Sequence, residues 1–495
     1  MTSKQASQPK RNGRQRWLFR AVAVVFGLSV FVMLEFALAV LDVGGLNEQD
    51  DPFVGFDDVR PLFVPNETGV RFEIPRSRLR FFAPESFPAK KQKETFRIFC
   101  LGGSTVQGRP YSSDTSFSKW LQLSLETAQP ERNWEVINCG GISYASYRLV
   151  PILEECTTYE PDLFIVCTGH NEFLEERTYG HIKQTPAALK TTHRFVSQLR
   201  TYSLLRTGYQ SFTQAESSST DRPNLPVDAD ALLNYKNGIE AYHRDPDFRA
   251  GVIDHFEHNV RRMIVLSRNA NIPLLLVRPP SNLSDCPPFK SQHRDGLSPE
   301  ELTRWQTLVG QAKEHYRDDL FRSVQLFEQA LDVDEEYAAT HYELGRCHLL
   351  TGDPDRAHES FLRARELDIC PLRMIAPLEK ALTETAANTG TPLVDAFTLL
   401  KTECQHGILS DAILVDHVHP QIRGHQLIAN ALTGVMIQRN WVTPAAGWKK
   451  RRDQVYQQHF NSLESIYFAR GLRELKALRA WAAGRADGPE ISKKP

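Results

Sequence analysis

The chain has 495 residues, too many for one average domain, and its apolar, aromatic and charged fractions are those of an ordinary globular protein. A formal net charge of −1 excludes the basic excess that nucleic-acid binding demands. The 8 cysteines show neither metal-ligand spacing nor a dense pattern, which excludes a disulfide-stapled or zinc-ribbon scaffold.

Residues 1–16 are basic, with Lys4, Lys10, Arg11, Arg14 and Arg16 and no acidic companion. Trp17 to Leu41 is apolar except for Arg20 near its start and Glu35 near its end, a length that suits a bilayer crossing. Asp42 to Val59 then carries acidic groups but no Lys or Arg. By the positive-inside rule the N-terminus is expected in the cytoplasm, with 17–41 a transmembrane anchor and everything after it extracytoplasmic. In a bacterium that means the periplasm or the cell surface. Ala37-Leu38-Ala39 also fits a signal-peptide cleavage site, which leaves the bulk of the chain on the same side. Residues 42–95, rich in Pro, Phe and acidic groups, read as an extracytoplasmic stalk that packs on the body through its phenylalanines.

An alternation then begins. Phe96–Gly102, Trp134–Gly140, Leu163–Gly169, Pro273–Pro279 and Pro392–Ala396 are short apolar or β-branched runs ending at Gly, Pro or a polar turn. Helical patterns lie between them at Ser116–Thr127, Tyr144–Tyr159, Phe248–Asn269 and Leu372–Asn388, with a last one at Gly424–Ile437. Strands alternating with helices predict an α/β domain with a parallel sheet over 96–297 and 371–440. Two insertions interrupt it. The first, 173–247, is polar with a linker-like centre at 216–223, and such insertions often shape a substrate cleft. In the second, 298–370, His341, Leu344, Gly345, Ala357, Phe361 and Ala364 follow tetratricopeptide spacing, and Phe327 and Ala330 repeat the pattern one period of 34 residues earlier. A plain helical hairpin is the alternative. Residues 441–495 form a basic C-terminal helical region and tail. Its run Lys449 to Arg452 reads as a solvated face, with Val455, Phe460, Leu463, Leu472, Leu475 and Leu478 as expected core.

Chemistry-bearing residues fall at the ends of these runs, where an open α/β sheet places its active site. Ser104 follows Gly102-Gly103 after the first strand. Asp416-His417-Val418-His419-Pro420 precedes the last helix, together with Gly424-His425. A serine hydroxyl is a weak nucleophile until a base takes its proton. His419 can be that base, and Asp416, three residues before it, can hold the ring in the required tautomer. The oxyanion of a tetrahedral intermediate needs donors. The backbone N–H of Ser104 is one candidate and the amide of Asn171, in Gly169-His170-Asn171-Glu172, is another. His417 and His425 read as supporting neighbours. A zinc site from Asp416, His417 and His419 finds no fourth ligand and lacks helical spacing.

Four blocks in this order resemble the SGNH (GDSL-like) hydrolases over about residues 96–440, insertions excluded. They are Gly102-Gly103-Ser104-Thr105, with Gly103 where that family usually has Asp; Asn138-Cys139-Gly140-Gly141-Ile142-Ser143; Gly169-His170-Asn171-Glu172, with Glu where Asp is common; and Asp416-His417-Val418-His419-Pro420. The resemblance implies a three-layer αβα fold, acyl chemistry at an ester, and no metal or organic cofactor. It also implies that a backbone N–H from the second block completes the oxyanion hole. Spacing from Asn138 puts that donor at Ser143, with Gly141 the alternative. The expected function is a membrane-anchored, extracytoplasmic serine ester hydrolase of esterase, lipase or O-deacylase type. Its substrate is an ester-bearing molecule such as an envelope glycan or lipid, and a protein partner is expected at the tetratricopeptide-like segment. An O-acyltransferase using the same triad is an alternative. So is an inactive hydrolase-like scaffold, although Ser104, Asn171 and His419 are all present.

Overall fold

The computed structural model describes residues 60–175 and 238–483, with shorter stretches at 22, 26, 29–38, 51, 53–56, 201, 224–225 and 228–229. The basic segment 1–16, the linker-like centre 216–223 and the tail after 483 lie outside the described residues. The chain divides into two compact units, Met1–Gly55 with Thr178–Asn224, and Phe56–Arg177 with Leu225–Pro495.

In the first unit the expected membrane anchor is corrected. No helix among the described residues is long and apolar enough to cross a membrane. Residues 29–38 are helical. Glu35 sits within them, and its carboxylate accepts from the backbone N–H of Thr201 at 2.8 Å and from the Thr201 hydroxyl. A carboxylate with polar protein partners is out of place in a lipid-facing helix. The transmembrane and extracytoplasmic placement built on that anchor goes with it.

The second unit opens on three short antiparallel strands, β1 (Val64–Pro65), β2 (Arg71–Glu73) and β3 (Ser86–Pro88). On this segment, expected to pack on the body through its phenylalanines, Phe63 and Phe87 enter a cluster with Phe99 and Tyr159, at ring separations of 4.9 to 6.3 Å. The Glu155 carboxylate accepts from the N–H groups of Leu62 and Phe63. These ties fasten the segment to the body.

The body is a five-stranded parallel sheet. Its strands are β4 (Thr95–Gly102), β5 (Asn133–Gly140), β6 (Leu163–Cys167), β7 (Leu274–Arg278) and β8 (Leu393–Asp395), in the order β8-β7-β6-β4-β5. The central strands are buried along both faces, which is why their sequences are unbroken apolar runs and not alternating ones. Ile98, Cys100, Ile165 and Val277 face helices α2 (Phe117–Ala128) and α11 (Ile422–Gln438). On the opposite face lie α3 (Ser146–Cys156), α4 (Pro246–Asn269) and α9 (Ala376–Thr389), which pack on one another. The result is a parallel-sheet α/β fold in three layers. The apolar run Ala412–Val415 makes no strand; it contributes a single antiparallel bridge, Leu414 to Pro420.

Between β7 and β8 the chain inserts four helices, α5 (Pro299–Glu314), α6 (Leu320–Val333), α7 (Ala338–Leu350) and α8 (Pro354–Leu367). A full capping box at Ser298 and Glu301 starts the first, and Asp319 and Asp353 cap the second and fourth. Helices α7 and α8 approach closely because residue 345 is glycine; a Cβ there would lie 2.9 Å from the Phe361 ring. The set is split between two cores. Ala312, Leu326, Phe327, Leu344 and Cys347 form a core of their own, while Tyr342, Ala357, Phe361 and Ala364 join the main core beside the sheet.

After α11 come α12 (Trp448–Ser462) and α13 (Ser465–Ala483). The expected core of this pair is corrected: Phe460 is 37% and Leu472 50% exposed. Tyr456 is the anchor, buried against Trp120 at 4.8 Å with its hydroxyl donating to the Trp120 carbonyl. Helix α13 reaches back to the loop that follows Ser104. Tyr467 meets Thr115 at 2.8 Å and Arg109 pairs with Glu474 at 2.9 Å.

The split core makes a prediction about stability. Phe361 is 1% exposed in the main core, so Phe361→Ala is expected to destabilise the whole second unit by about 3 to 5 kcal/mol. Phe321, on the same insertion but 72% exposed, is expected to shift stability by no more than about 0.5 kcal/mol on Phe321→Ala. Urea unfolding followed by tryptophan fluorescence separates the two; equal shifts would contradict the division of the core.

Candidate active site

The register of the sheet aligns its chemistry. Gly102 lies opposite both Gly140 and Cys167, so three strands end at one level. Just beyond those ends come Ser104, Ser143 and Asn171. Ser104 opens the short helix α1 (Ser104–Gln107), directly after the Gly102-Gly103 turn. Across the site, the bridge from Leu414 to Pro420 and a bond from the Val415 N–H to the His419 carbonyl at 2.8 Å close a tight loop. That loop carries Asp416 and His419.

The structure brings Ser104, His419 and Asp416 into one line. Ser104 Oγ is 2.7 Å from His419 Nε2, and His419 Nδ1 is 2.7 Å from Asp416 Oδ2. Asp416 Oδ1 accepts from the backbone N–H groups of Val418 and His419, each at 2.9 Å. Burial opposes the charge on Asp416, but the imidazoles of His419 and His417, with the His419 side-chain and backbone hydrogen bonds, hold its carboxyl well below the usual range. An ionised Asp416 can only accept, so His419 Nδ1 carries the proton. Nε2 then has a lone pair, and the Ser104 hydroxyl donates to it. This is the tautomer a general base needs.

The oxyanion donors can now be sorted. The N–H of Gly141 donates to the Gly102 carbonyl at 2.9 Å and is used up. The N–H of Ser143 finds no acceptor among the described residues, and neither does that of Ser104. Ser143 adopts φ +64°, a left-handed conformation that a non-glycine residue holds only under constraint. Of the two residues considered for the second block, Ser143 has the available donor. Asn171 Nδ2 donates one N–H to the Tyr144 carbonyl at 3.0 Å, which leaves its second N–H to point elsewhere. A Cβ on Gly103 would come within 2.6 Å of that same nitrogen. The amide therefore lies against the turn that presents Ser104.

His417 does not compete as the base. Its Nδ1 is 3.7 Å from Asp416 Oδ1, beyond hydrogen-bond reach, and its ring packs edge-on against Phe289 at 5.2 Å. His425 Nδ1 accepts from the Phe117 N–H at 3.2 Å, and His170 Nδ1 accepts from the Met374 N–H at 3.1 Å. Among the described residues no group of three or more His, Cys, Asp or Glu side chains could hold a metal ion.

Sequence reasoning missed the residues that support the loops. Asn282 donates its backbone N–H to the His417 carbonyl at 2.9 Å, and its amide to the Asp416 carbonyl at 3.2 Å and to Asp411 at 2.9 Å. Arg373 donates to the carbonyls of Asn282 and Cys286 at 2.9 and 2.7 Å and faces the buried Asp368. Glu172 accepts from the N–H and hydroxyl of Ser146. Neither Asn282 nor Arg373 belongs to a motif or stands near the triad in sequence, so no local signal could have found them.

No family model and no curated protein matches the chain. Solved structures do. A lipase/acylhydrolase from Enterococcus faecalis is similar at 12% identity over 71% of this chain and 100% of that one, with a TM-score of 0.32. A mutant of an acetyl-xylooligosaccharide esterase from Geobacillus Stearmophilus is similar at 12% identity over 70% and 95%, with a TM-score of 0.30. A GDSL-like lipase from Bacteroides thetaiotaomicron is similar at 11% identity over 71% and 93%, with a TM-score of 0.28. At these values the chemistry of the site rests on its own geometry.

Three buried histidines ring that geometry, and they predict acid lability. Burial, with charge repulsion from neighbouring imidazoles, pushes His170 and His425 down to about 3, and burial pushes His417 down to about 4, from 6.5. Below pH 6.5 the unfolded chain takes up protons that the folded one refuses, so stability falls as the pH falls. Asp411 and Asp368, raised to about 6 chiefly by burial, work in the opposite sense below pH 6. The measure is therefore a difference between variant and parent. His425→Gln keeps an acceptor for the Phe117 N–H and removes one titrating group. Its unfolding free energy is expected to depend on pH less steeply than the parent's between pH 5 and 6, by up to about 1.4 kcal/mol per pH unit. Parallel profiles in urea titrations at a series of pH values would contradict this.

Proposed function

We propose that this protein is a serine ester hydrolase in which Ser104 is the nucleophile, His419 the general base and Asp416 the residue that orients it. The observation that carries the reading is the continuous line from Ser104 Oγ through the His419 ring to a buried carboxylate, with both links at 2.7 Å.

The chemistry follows from the protons. Ser104 Oγ attacks the ester carbonyl carbon as its proton passes to His419 Nε2. The new C–O bond drives the carbonyl electron pair onto oxygen. The N–H groups of Ser104 and Ser143 and the amide of Asn171 receive that oxyanion. Collapse of the intermediate breaks the ester C–O bond, and His419 returns the proton to the departing alcohol. Water then attacks the acyl-enzyme by the same route, giving its proton to His419 and releasing the acid and the serine hydroxyl. Asp416 stays ionised throughout and stabilises the imidazolium that forms twice per turnover.

Helices α6 to α8 support a finer reading of the insertion as tetratricopeptide-like. Phe327 and Ala330 on α6 stand one period before Phe361 and Ala364 on α8, and all four are buried. An experimental structure with these helices in non-equivalent positions would remove that reading.

Aryl esters of short and long acyl chains and acetylated saccharides are the first substrates to try. Ser104→Ala is expected to abolish turnover and labelling by a fluorophosphonate. His419→Ala is expected to lower kcat by about 10⁴-fold or more, with little change in KM. Labelling that persists in Ser104→Ala, or a larger loss from His417→Ala than from His419→Ala, would overturn the assignment.

A further inference from the structure

Asn171 and Glu172 are neighbours in the chain, and both grip the same short stretch across the site. Asn171 Nδ2 donates to the Tyr144 carbonyl at 3.0 Å. Glu172 Oε1 accepts from the backbone N–H of Ser146 at 2.9 Å, and its Oε2 accepts from the Ser146 hydroxyl at 2.8 Å. Ser146 is the first residue of α3, whose N-cap position is Ala145, a residue with no side-chain acceptor. A helix start ordinarily takes an oxygen from its own cap residue. Here a carboxylate arrives from another loop, and the positive end of the helix favours its charge. Glu172 is 1% exposed. Holding a carboxylate at such depth costs free energy unless hydrogen bonds compensate.

Immediately before this capped end stands Ser143, with its left-handed backbone and its unclaimed N–H. The clamp extends further along the loop. Glu175 accepts from the Tyr147 hydroxyl and from Arg148, each at 2.6 Å, so the next turn of α3 is tied to the same segment.

We propose that Glu172 is a positioning residue for the oxyanion hole, an inference that rests on the ester-hydrolase reading above. It caps α3 from outside and thereby fixes the spacing between the Ser143 N–H and the Asn171 amide. It touches no substrate. Its effect reaches the reaction through two donors whose aim matters only once negative charge has formed on the substrate oxygen. Loss of that aim raises the barrier without weakening ground-state binding.

The test uses the full chain and the best aryl ester. Glu172→Ala is expected to lower kcat by about 10- to 100-fold, somewhat less than removal of a whole donor, with KM within about threefold of the parent. Affinity for an aryl boronate, which forms a tetrahedral adduct on the serine, should fall in step with kcat. Glu172→Gln should recover most of the loss: its carbonyl can accept from the Ser146 N–H, and its amide can donate to the Ser146 hydroxyl oxygen once that group rotates. Combined with Asn171→Ala, Glu172→Ala should add far less than its own effect. Leu125→Ala, buried near the C-terminal end of α2 and itself destabilising, should keep the parent kcat.

A folded Glu172→Ala with the parent's kcat and boronate affinity would overturn the proposal. So would a loss shared equally by Leu125→Ala, or an absence of recovery in Glu172→Gln. If Glu172→Ala does not fold, Ser146→Ala decides the matter. It removes one of the two bonds without stranding the carboxylate and should lower kcat, not raise KM; an unchanged kcat would overturn the proposal. A parent that turns over no ester and takes no fluorophosphonate would instead remove the hydrolase reading itself.

Discussion

A buried carboxylate must be surrounded by donors, and the loop carrying Asp416 is shaped by that requirement. Withdrawing an unpaired carboxylate from water costs several kcal/mol. Asp416 meets this with two backbone N–H groups from its own loop and the Nδ1–H of His419. The two backbone bonds fold the chain from 416 to 419 back on itself, and the bridge from Leu414 to Pro420 seals the turn. Once the turn is closed, the third donor fixes the imidazole. Nδ1 faces inward, and Nε2 is left aiming at Ser104. Satisfying one buried charge therefore sets the tautomer and the direction of the base together. A second ring is tolerated close by because burial, against the pull of the Asp416 charge, holds His417 neutral, so it adds no cation to compete for Asp416.

The opposite half of the site depends on a different constraint, the alignment of strand ends. In a parallel sheet the register decides which residues beyond the strands become neighbours. Here Gly102, Gly140 and Cys167 share one level, so the segments that follow them converge within a few residues. This much could be read from the sequence, because unbroken apolar runs ending in glycine mark buried parallel strands, and a serine and an asparagine stood beyond such ends; the Asp-x-x-His set follows an apolar run that forms only an isolated bridge. The choice between Ser143 and Gly141 could not be read there. It turns on one backbone bond, from the Gly141 N–H to the Gly102 carbonyl, and side-chain patterns say nothing about where an N–H points.

Other features escaped for equally physical reasons. Apolar residues at 17–41 read as a membrane signal, but no helix among the described residues is long and apolar enough to cross a membrane, and Glu35 finds polar partners in Thr201. Residues 62–88 lacked sustained periodicity because their strands are two or three residues long, too short for alternation to register. Val455, Phe460 and Leu472 were expected in a core on apolarity alone. The helix in fact docks through Tyr456, whose ring packs on Trp120 while its hydroxyl takes a backbone partner.

The helical insertion carries none of the proposed site residues, yet it is bonded to the loops that do. Read from the sequence, it is a tetratricopeptide-like segment or a plain helical hairpin, and neither pattern shows how it meets the body. Tyr342 donates its hydroxyl to the Ser284 carbonyl at 2.7 Å, on the segment that includes Asn282. On leaving α8 the chain passes Asp368, which accepts from the N–H groups of Phe289 and Lys290, and then Arg373, which holds the carbonyls of Asn282 and Cys286. Asn282 in turn holds the carbonyls of Asp416 and His417. The next residue, Met374, donates to His170 and packs within reach of Gly169, whose φ of +129° only glycine adopts readily. One short segment, 368–374, thus connects the loop of the base with the loop of the Asn171 donor. The four helices are therefore bonded to both loops of the proposed site through residues that carry no chemistry of their own.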